Sequence, residues 1–309
     1  MLVVSVLLAL IALVSALRSY DLENDWKQFQ LAYNRNYTNR AELHYRKEIF
    51  NKNLESIEKH NEAYEAGQQS YMQGVNQFTD LTFEEVQKRL LGYKGDMASA
   101  DSSVDLDILK VNDEDVPDSL DLKEKGYVTR VKYEGRCSSC WAFSAVGSIE
   151  GQLYKATKKL VSLSEQELVD CSKSNSGCHR GGSRRRAFED LKEIGGIALE
   201  ESYPYEGVDG ECKFEKEMAV AEVTGFKTLL KDESELKKAV ATIGPISVSV
   251  QATDNFIKYK NGVFYDSSCY GERTNHMLLA MERIIGAVRI IGLLKIPGMI
   301  VGVKMGISE

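Results

Sequence analysis

The residues of this chain best placed to do chemistry are Cys140 and His276. Cys140 lies in the stretch Cys137-Ser138-Ser139-Cys140-Trp141-Ala142-Phe143, at the head of a run in which Phe143, Val146, Ile149 and Leu153 recur every three or four residues. That spacing predicts a helix with one buried face, which puts Cys140 in its first turn. Unpaired N–H groups and the positive end of the helix dipole favour the thiolate there, and the thiolate is the nucleophilic form. A thiolate needs a proton partner. The histidines are His44, His60, His179 and His276, and only the last lies in a later, β-rich part of the chain, 136 residues downstream of Cys140. The rival reading of Cys137-x-x-Cys140 is a thioredoxin-like redox pair, which lacks its βαβ context here.

From Val116 to about His276 the chain resembles the papain-like cysteine peptidases, and among them the cathepsin L-like branch. The matching segments besides the Cys140 stretch are Val116-Pro117-Asp118-Ser119-Leu120-Asp121, Glu124-Lys125-Gly126-Tyr127-Val128-Thr129, Leu163-Ser164-Glu165-Gln166-Glu167-Leu168-Val169-Asp170-Cys171-Ser172 and Glu201-Ser202-Tyr203-Pro204-Tyr205-Glu206-Gly207. The resemblance implies an α+β, two-lobed fold, with a helical left lobe, a β-barrel-like right lobe and a cleft between Cys140 and His276. It implies peptide hydrolysis by the Cys140–His276 pair without metal or cofactor, protein and peptide substrates, and cystatin-like inhibitors as possible partners. It also pairs Cys137 with Cys178 and Cys171 with Cys212. Cys269 is left unpaired, its family partner lying in a C-terminal stretch absent here.

The 309-residue chain as a whole is of ordinary globular composition with net charge −7, which gives nucleic acid no large basic patch to meet. Residues 1–16 are apolar and end in the small-x-small pattern Val14-Ser15-Ala16, which reads as a signal peptide; the alternative is a buried N-terminal helix. Residues 17–115 are charged and free of cysteine. Within them Glu42, Arg46, Phe50, Asn53, Ile57 and Asn61 share one helix face and reproduce the ERFNIN pattern of cathepsin L-like propeptides. Gly74, Asn76, Phe78 and Asp80 alternate as in a strand and match the G-x-N-x-F-x-D motif of the same propeptides. Thr82 to Glu85 form a capping box ahead of a further helix. By resemblance this segment is an inhibitory prodomain that runs through the cleft in the non-productive direction.

Asn36-Tyr37-Thr38 is a candidate glycosylation site for a chain entering the secretory pathway, bound for a lysosomal or extracellular compartment. Residues 94–115 form an acidic linker, with activation cleavage near its end and the peptidase domain assigned to 116–309. Farther on, a helix from Asp232 to Ala241 and strands at Ile246 to Val250 and Gly262 to Tyr265 are predicted.

Four departures from the family bear on activity. Glu134 stands where the family places the glutamine whose amide donates to the oxyanion, and an ionised carboxylate cannot donate. Ser138 replaces a glycine, adding a side chain where substrate backbone should pass. Ser183-Arg184-Arg185-Arg186 follows Gly181-Gly182 where apolar pocket residues are usual, and reads either as a solvated basic helix face or as a pocket of altered specificity. After His276 the family's Asp-Tyr-Trp and Lys-Asn-Ser-Trp segments are missing.

The apolar tail that stands there is interrupted by Arg283, Arg289, Lys295 and Lys304, too often for a membrane span. Codons for Asp-Tyr-Trp read one nucleotide late give Ile-Ile-Gly, found at Ile284 and again at Ile290, and codons for Leu-Ile-Lys-Asn-Ser-Trp after a tryptophan codon give Gly292 to Gly298. The tail reads as the family's own C-terminus in another frame. The competing functional class is a non-enzyme whose prodomain inhibits papain-like peptidases.

Overall fold

The computed structural model describes residues 21–90, 116–117, 119–229, 233–269, 274–284, 287–291 and 302–303. The signal-peptide reading, the 94–115 linker and the tail residues 292–301 and 304–309 lie outside these. The chain divides into two compact units, one ending at Gln69 and completed by Gln73–Thr82, the other made of Ser70–Met72 and everything from Phe83 onward.

The first unit pairs helix α1 (21–32) with α2 (Arg40–Glu65). Asn39 caps α2, its side-chain oxygen accepting from the N–H of Ala41 and Glu42. Trp26, Phe29, Phe50 and Leu54 form its core. The patterned face of α2 does two jobs. Phe50 and Ile57 are buried, whereas Arg46, Asn53 and Asn61 hold the main chain of the segment that follows. Asn53 donates to Thr79 O (2.8 Å) and Leu81 O (3.1 Å), and Asn61 makes a reciprocal pair with Gln73, 2.9 Å each way.

The strand predicted for Gly74 to Asp80 is not there. Strand β1 is Tyr71–Gln73, and residues 77–80 form a turn. The reason is local: the Asn76 side chain accepts from Phe78 N–H (2.9 Å) and Thr79 Oγ1 from Asn76 N–H (2.9 Å), which turns the backbone before it can extend. The period-two spacing marks turn and contact roles instead. Asp80, fully buried, pairs with Arg35 at 3.1 Å and accepts from the Tyr37 hydroxyl.

The second unit opens with α3 (Phe83–Leu90) and strand β2 (Leu120–Asp121). Four helices follow: α4 (Cys140–Thr157), α5 (Glu165–Cys171), α6 (Gly177–Arg180) and α7 (Arg184–Ile194). Disulfides Cys137–Cys178 and Cys171–Cys212 tie this helical half together. A short pair, β3 (Ile197–Ala198) and β4 (Ala219–Ala221), closes it. Inside it, Lys132 Nζ donates to Glu150 (2.8 Å), Glu165 (2.6 Å) and Leu163 O (2.9 Å), a buried cation with all three protons placed.

Next come α8 (Glu233–Thr242), β5 (Ile246–Val250), α9 (Asp254–Ile257), β6 (Tyr259–Phe264), β7 (His276–Ile284), β8 (Ala287–Ile291) and β9 (Gly302–Val303). The main sheet runs β1-β6-β9-β8-β7-β2, with β5 also on β7. The tail thus continues the sheet: β8 lies antiparallel to β7, Leu279 facing Ile291 and Ile284 facing Ala287. No helix among the described residues is long and apolar enough to cross a membrane.

Helix α4 lies directly on this sheet because two of its residues have no side chain. A Cβ on Gly147 would come 3.0 Å from Leu279 of β7, and one on Gly151 would meet the ring of Pro245 at 2.5 Å. That approach brings the first turn of α4 to the first residues of β7.

Candidate active site

Cys140 opens α4 and His276 opens β7, and both are fully buried. Cys140, Trp141 and Met277 share one core cluster, and the main-chain N–H of Met277 acts to lower the Cys140 thiol pKa. The nucleophile candidate therefore packs with the residue that follows the base candidate in sequence. Val250 pairs with His276 across β5 and β7, fixing the backbone that carries the imidazole.

Glu134 completes the group. Its side chain is buried, neither oxygen has a hydrogen-bond partner of normal geometry, and its charge acts on Cys140. Burial pushes its carboxyl well above the ordinary range, opposed only by the approach of the Cys140 main-chain N–H.

The electrostatics differ from the helix-dipole expectation. The N–H groups of Met277, Trp141 and Cys140 do pull the thiol down, but burial and Glu134 outweigh them and raise it above the usual cysteine value. Burial alone brings His276 down to about 4, and neither ring nitrogen has a hydrogen-bond partner among the described residues. Burial disfavours the charged form of each group, which favours a neutral thiol and a neutral imidazole in the unprocessed chain.

Ser138 is buried and its N–H donates to Cys178 O at 3.2 Å. Gly182 packs so tightly that a Cβ there would come 2.7 Å from Trp141. Ser183 caps α7 by accepting from Arg185 N–H. Arg185 pairs with Glu189 at 3.0 Å and Arg186 donates to Ser174 O at 3.2 Å, which makes part of this run an ordinary helix face. Arg184 has one buried guanidinium nitrogen with no partner among the described residues. Cys269 is free, in a turn where its N–H bonds Asp266 O. Asn36 is exposed. Among the described residues no group of three potential ligands could hold a metal ion.

Two site neighbours carried no assignment in the sequence. Tyr205 was visible only as part of a matching segment, and Ser139 only as the residue before the nucleophile. Their hydroxyls meet at 2.6 Å across 66 positions, a separation that no periodic pattern reports.

A buried cysteine at a helix head, set against a histidine-led strand and preceded by a helical pro-unit, defines a thiol peptidase zymogen. Residues 116–282 match the papain family cysteine protease profile and residues 26–86 the cathepsin propeptide inhibitor domain (I29), and the chain belongs to the papain family. Within that family its relatives include cathepsins L. It is 40% identical over 284 residues to cathepsin L of Sarcophaga peregrina, covering 89% of this chain and 84% of that one. To procathepsin L of Mus musculus it is 41% identical over 281 residues, 88% and 82% of the two chains. The structure of digestive procathepsin L2 proteinase from Tenebrio molitor larval midgut superposes with a TM-score of 0.84 at 34% identity, over 91% of this chain and 94% of that one. The chain is a cathepsin L-like cysteine peptidase proenzyme, and nothing in these likenesses favours the inhibitor class.

Proposed function

We propose that Cys140 is the nucleophile of this endopeptidase and His276 its proton partner, and that the Cys140 main-chain N–H with the Glu134 side chain receives the oxyanion. The observation that carries this reading is the burial of Cys140 in one core cluster with Met277, the residue that follows His276. Desolvation is the leading cause of both unfavourable shifts, so entry of solvent and peptide into the site moves the thiol down and the imidazole up, toward the ion pair. The thiolate then attacks the peptide carbonyl and His276 protonates the leaving amine. Glu134 assists in its protonated form, as an O–H donor.

Residues 17–115 act as the inhibitory prodomain, residues 1–16 as a signal peptide and Asn36 as a glycan acceptor, in a chain destined for a lysosomal or extracellular compartment. Cystatin-like inhibitors are proposed as partners of the mature site. The test is hydrolysis of a dipeptidyl fluorogenic substrate by the processed chain and by Cys140→Ser and His276→Ala. Loss of turnover in both variants supports the assignment, and turnover surviving either one overturns it.

A further inference from the structure

The loop from Glu134 to Ser139 is fastened from two sides. On one side stand the Cys137–Cys178 bridge and the Ser138 N–H bond to Cys178 O. On the other, the Tyr205 hydroxyl lies 2.8 Å from Glu134 O and 2.6 Å from Ser139 Oγ. Proton counting sets the direction. A carbonyl only accepts, so the single Tyr205 O–H goes to Glu134, and Ser139 donates its own hydroxyl to the Tyr205 oxygen.

Ser139 is the N-cap of α4, yet its side chain accepts from no helix N–H. Serine at that position usually does so. With the Ser139 hydroxyl turned to Tyr205, the first N–H groups of α4 receive no side-chain cap, and those of Cys140 and Trp141 act to lower the Cys140 thiol pKa. The Tyr205 ring also stands edge-on to Phe143, one turn along α4, with centroids 4.8 Å apart. Its own loop is rigidly held: Glu200 accepts from Tyr205 N–H at 3.0 Å, and Gln166 Oε1 from the N–H of Glu206 (2.9 Å) and Gly207 (3.1 Å).

We propose that Tyr205 is a positioning residue of the peptidase site, whose hydroxyl, clamped between Glu134 O and Ser139 Oγ, sets the spacing between the Glu134 side chain and the Cys140 main-chain N–H. This rests on the assignment of those two groups to the oxyanion. Without the hydroxyl, Glu134 O keeps only the long 3.4 Å bond from Cys137 N–H. Ser139 Oγ is then free to cap α4 by accepting from an N–H of its first turn.

The test is Tyr205→Phe, which retains the ring against Phe143. In the processed chain it should lower kcat about 10-fold with KM nearly unchanged, less than the ~10²-fold typical of deleting a donor outright. On a Glu134→Ala background, where the positioned donor is gone, the same change should cost no more than about twofold, since residues acting as one unit are not additive. Fully additive losses overturn the proposal. Backbone hydrogen exchange in the full-length chain is read beside this, because it needs no turnover. Exchange over residues 134–141 should quicken in Tyr205→Phe, and unchanged exchange overturns the clamp whatever the kinetics. A parent chain that hydrolyses no peptide while the variant's exchange quickens contradicts the peptidase assignment and leaves the clamp standing.

Discussion

Cys140 and Met277 are buried in one core cluster, so the head of α4 packs against the start of the strand led by His276. Burial and the Glu134 charge nevertheless hold that thiol above its ordinary pKa. Alkylation of Cys140 by iodoacetamide in the full-length chain should therefore be slow between pH 4 and 8 and climb only above about 9, as the thiolate appears. A rate already at plateau near pH 5 would show an ion pair in the unprocessed chain and contradict this.

The proposed oxyanion role of Glu134 predicts that the processed enzyme works in the acid range. Its carboxyl is raised by burial, so in acid it stays protonated and donates, and as pH rises it ionises and opposes the developing oxyanion. Glu134→Gln should raise kcat/KM at neutral pH by up to about 10²-fold and change it little in acid. Superimposable pH–rate profiles for the two forms would remove Glu134 from the oxyanion site.

Glu167 gives a stability prediction of defined sign. Its carboxylate accepts from Ala198 N–H at 2.7 Å, but its other oxygen is buried without a partner, and burial raises its pKa to about 7 from 4.5. A carboxyl raised on folding contributes stability below its unfolded pKa and loses it as pH rises through the folded value. Between pH 4.5 and 7 the loss is about 3 kcal/mol at ~1.4 kcal/mol per pKa unit. Glu167→Gln keeps an acceptor for Ala198 and should flatten the fall in Tm across that window, measured by calorimetry against the parent.

The prodomain prediction follows from Asn61 and its reciprocal 2.9 Å bonds with Gln73. As a separate fragment, residues 17–115 should inhibit cathepsin L-like peptidases at low micromolar concentration or better, about −8 kcal/mol of binding. Asn61→Ala should destabilise the fragment by roughly 1–3 kcal/mol, because both hydrogen bonds from its side chain to the Gln73 main chain are lost. A fragment that inhibits no such enzyme, or a variant with unaltered urea midpoint, contradicts the respective half.

What could be read in the sequence were the features that local pattern encodes. Helix α4 begins at Cys140 with Phe143 and Val146 buried, β5 spans the alternating Ile246 to Val250, and α8 lies within a residue of its predicted place. The strand near Gly262 is real but starts earlier, at Tyr259, since a glycine and two polar residues hide the alternation. Gly74 to Asp80 misled because period-two spacing is also produced by an Asn-led turn. The resting charge state of Cys140 and His276 was illegible, because desolvation is set by packing of the whole unit. The Tyr205 clamp was hidden too, since it joins residues 66 and 71 positions apart.

The most direct test of the central claim is active-site titration of the processed chain with a thiol-reactive peptide epoxide, read by mass spectrometry and by hydrolysis of a fluorogenic dipeptide substrate. Hydrolysis should fall in proportion to the label, the label should sit on Cys140 at one per molecule, and His276→Ala should neither hydrolyse nor label rapidly. Hydrolysis persisting after Cys140 is fully labelled, or rapid labelling in His276→Ala, would contradict it.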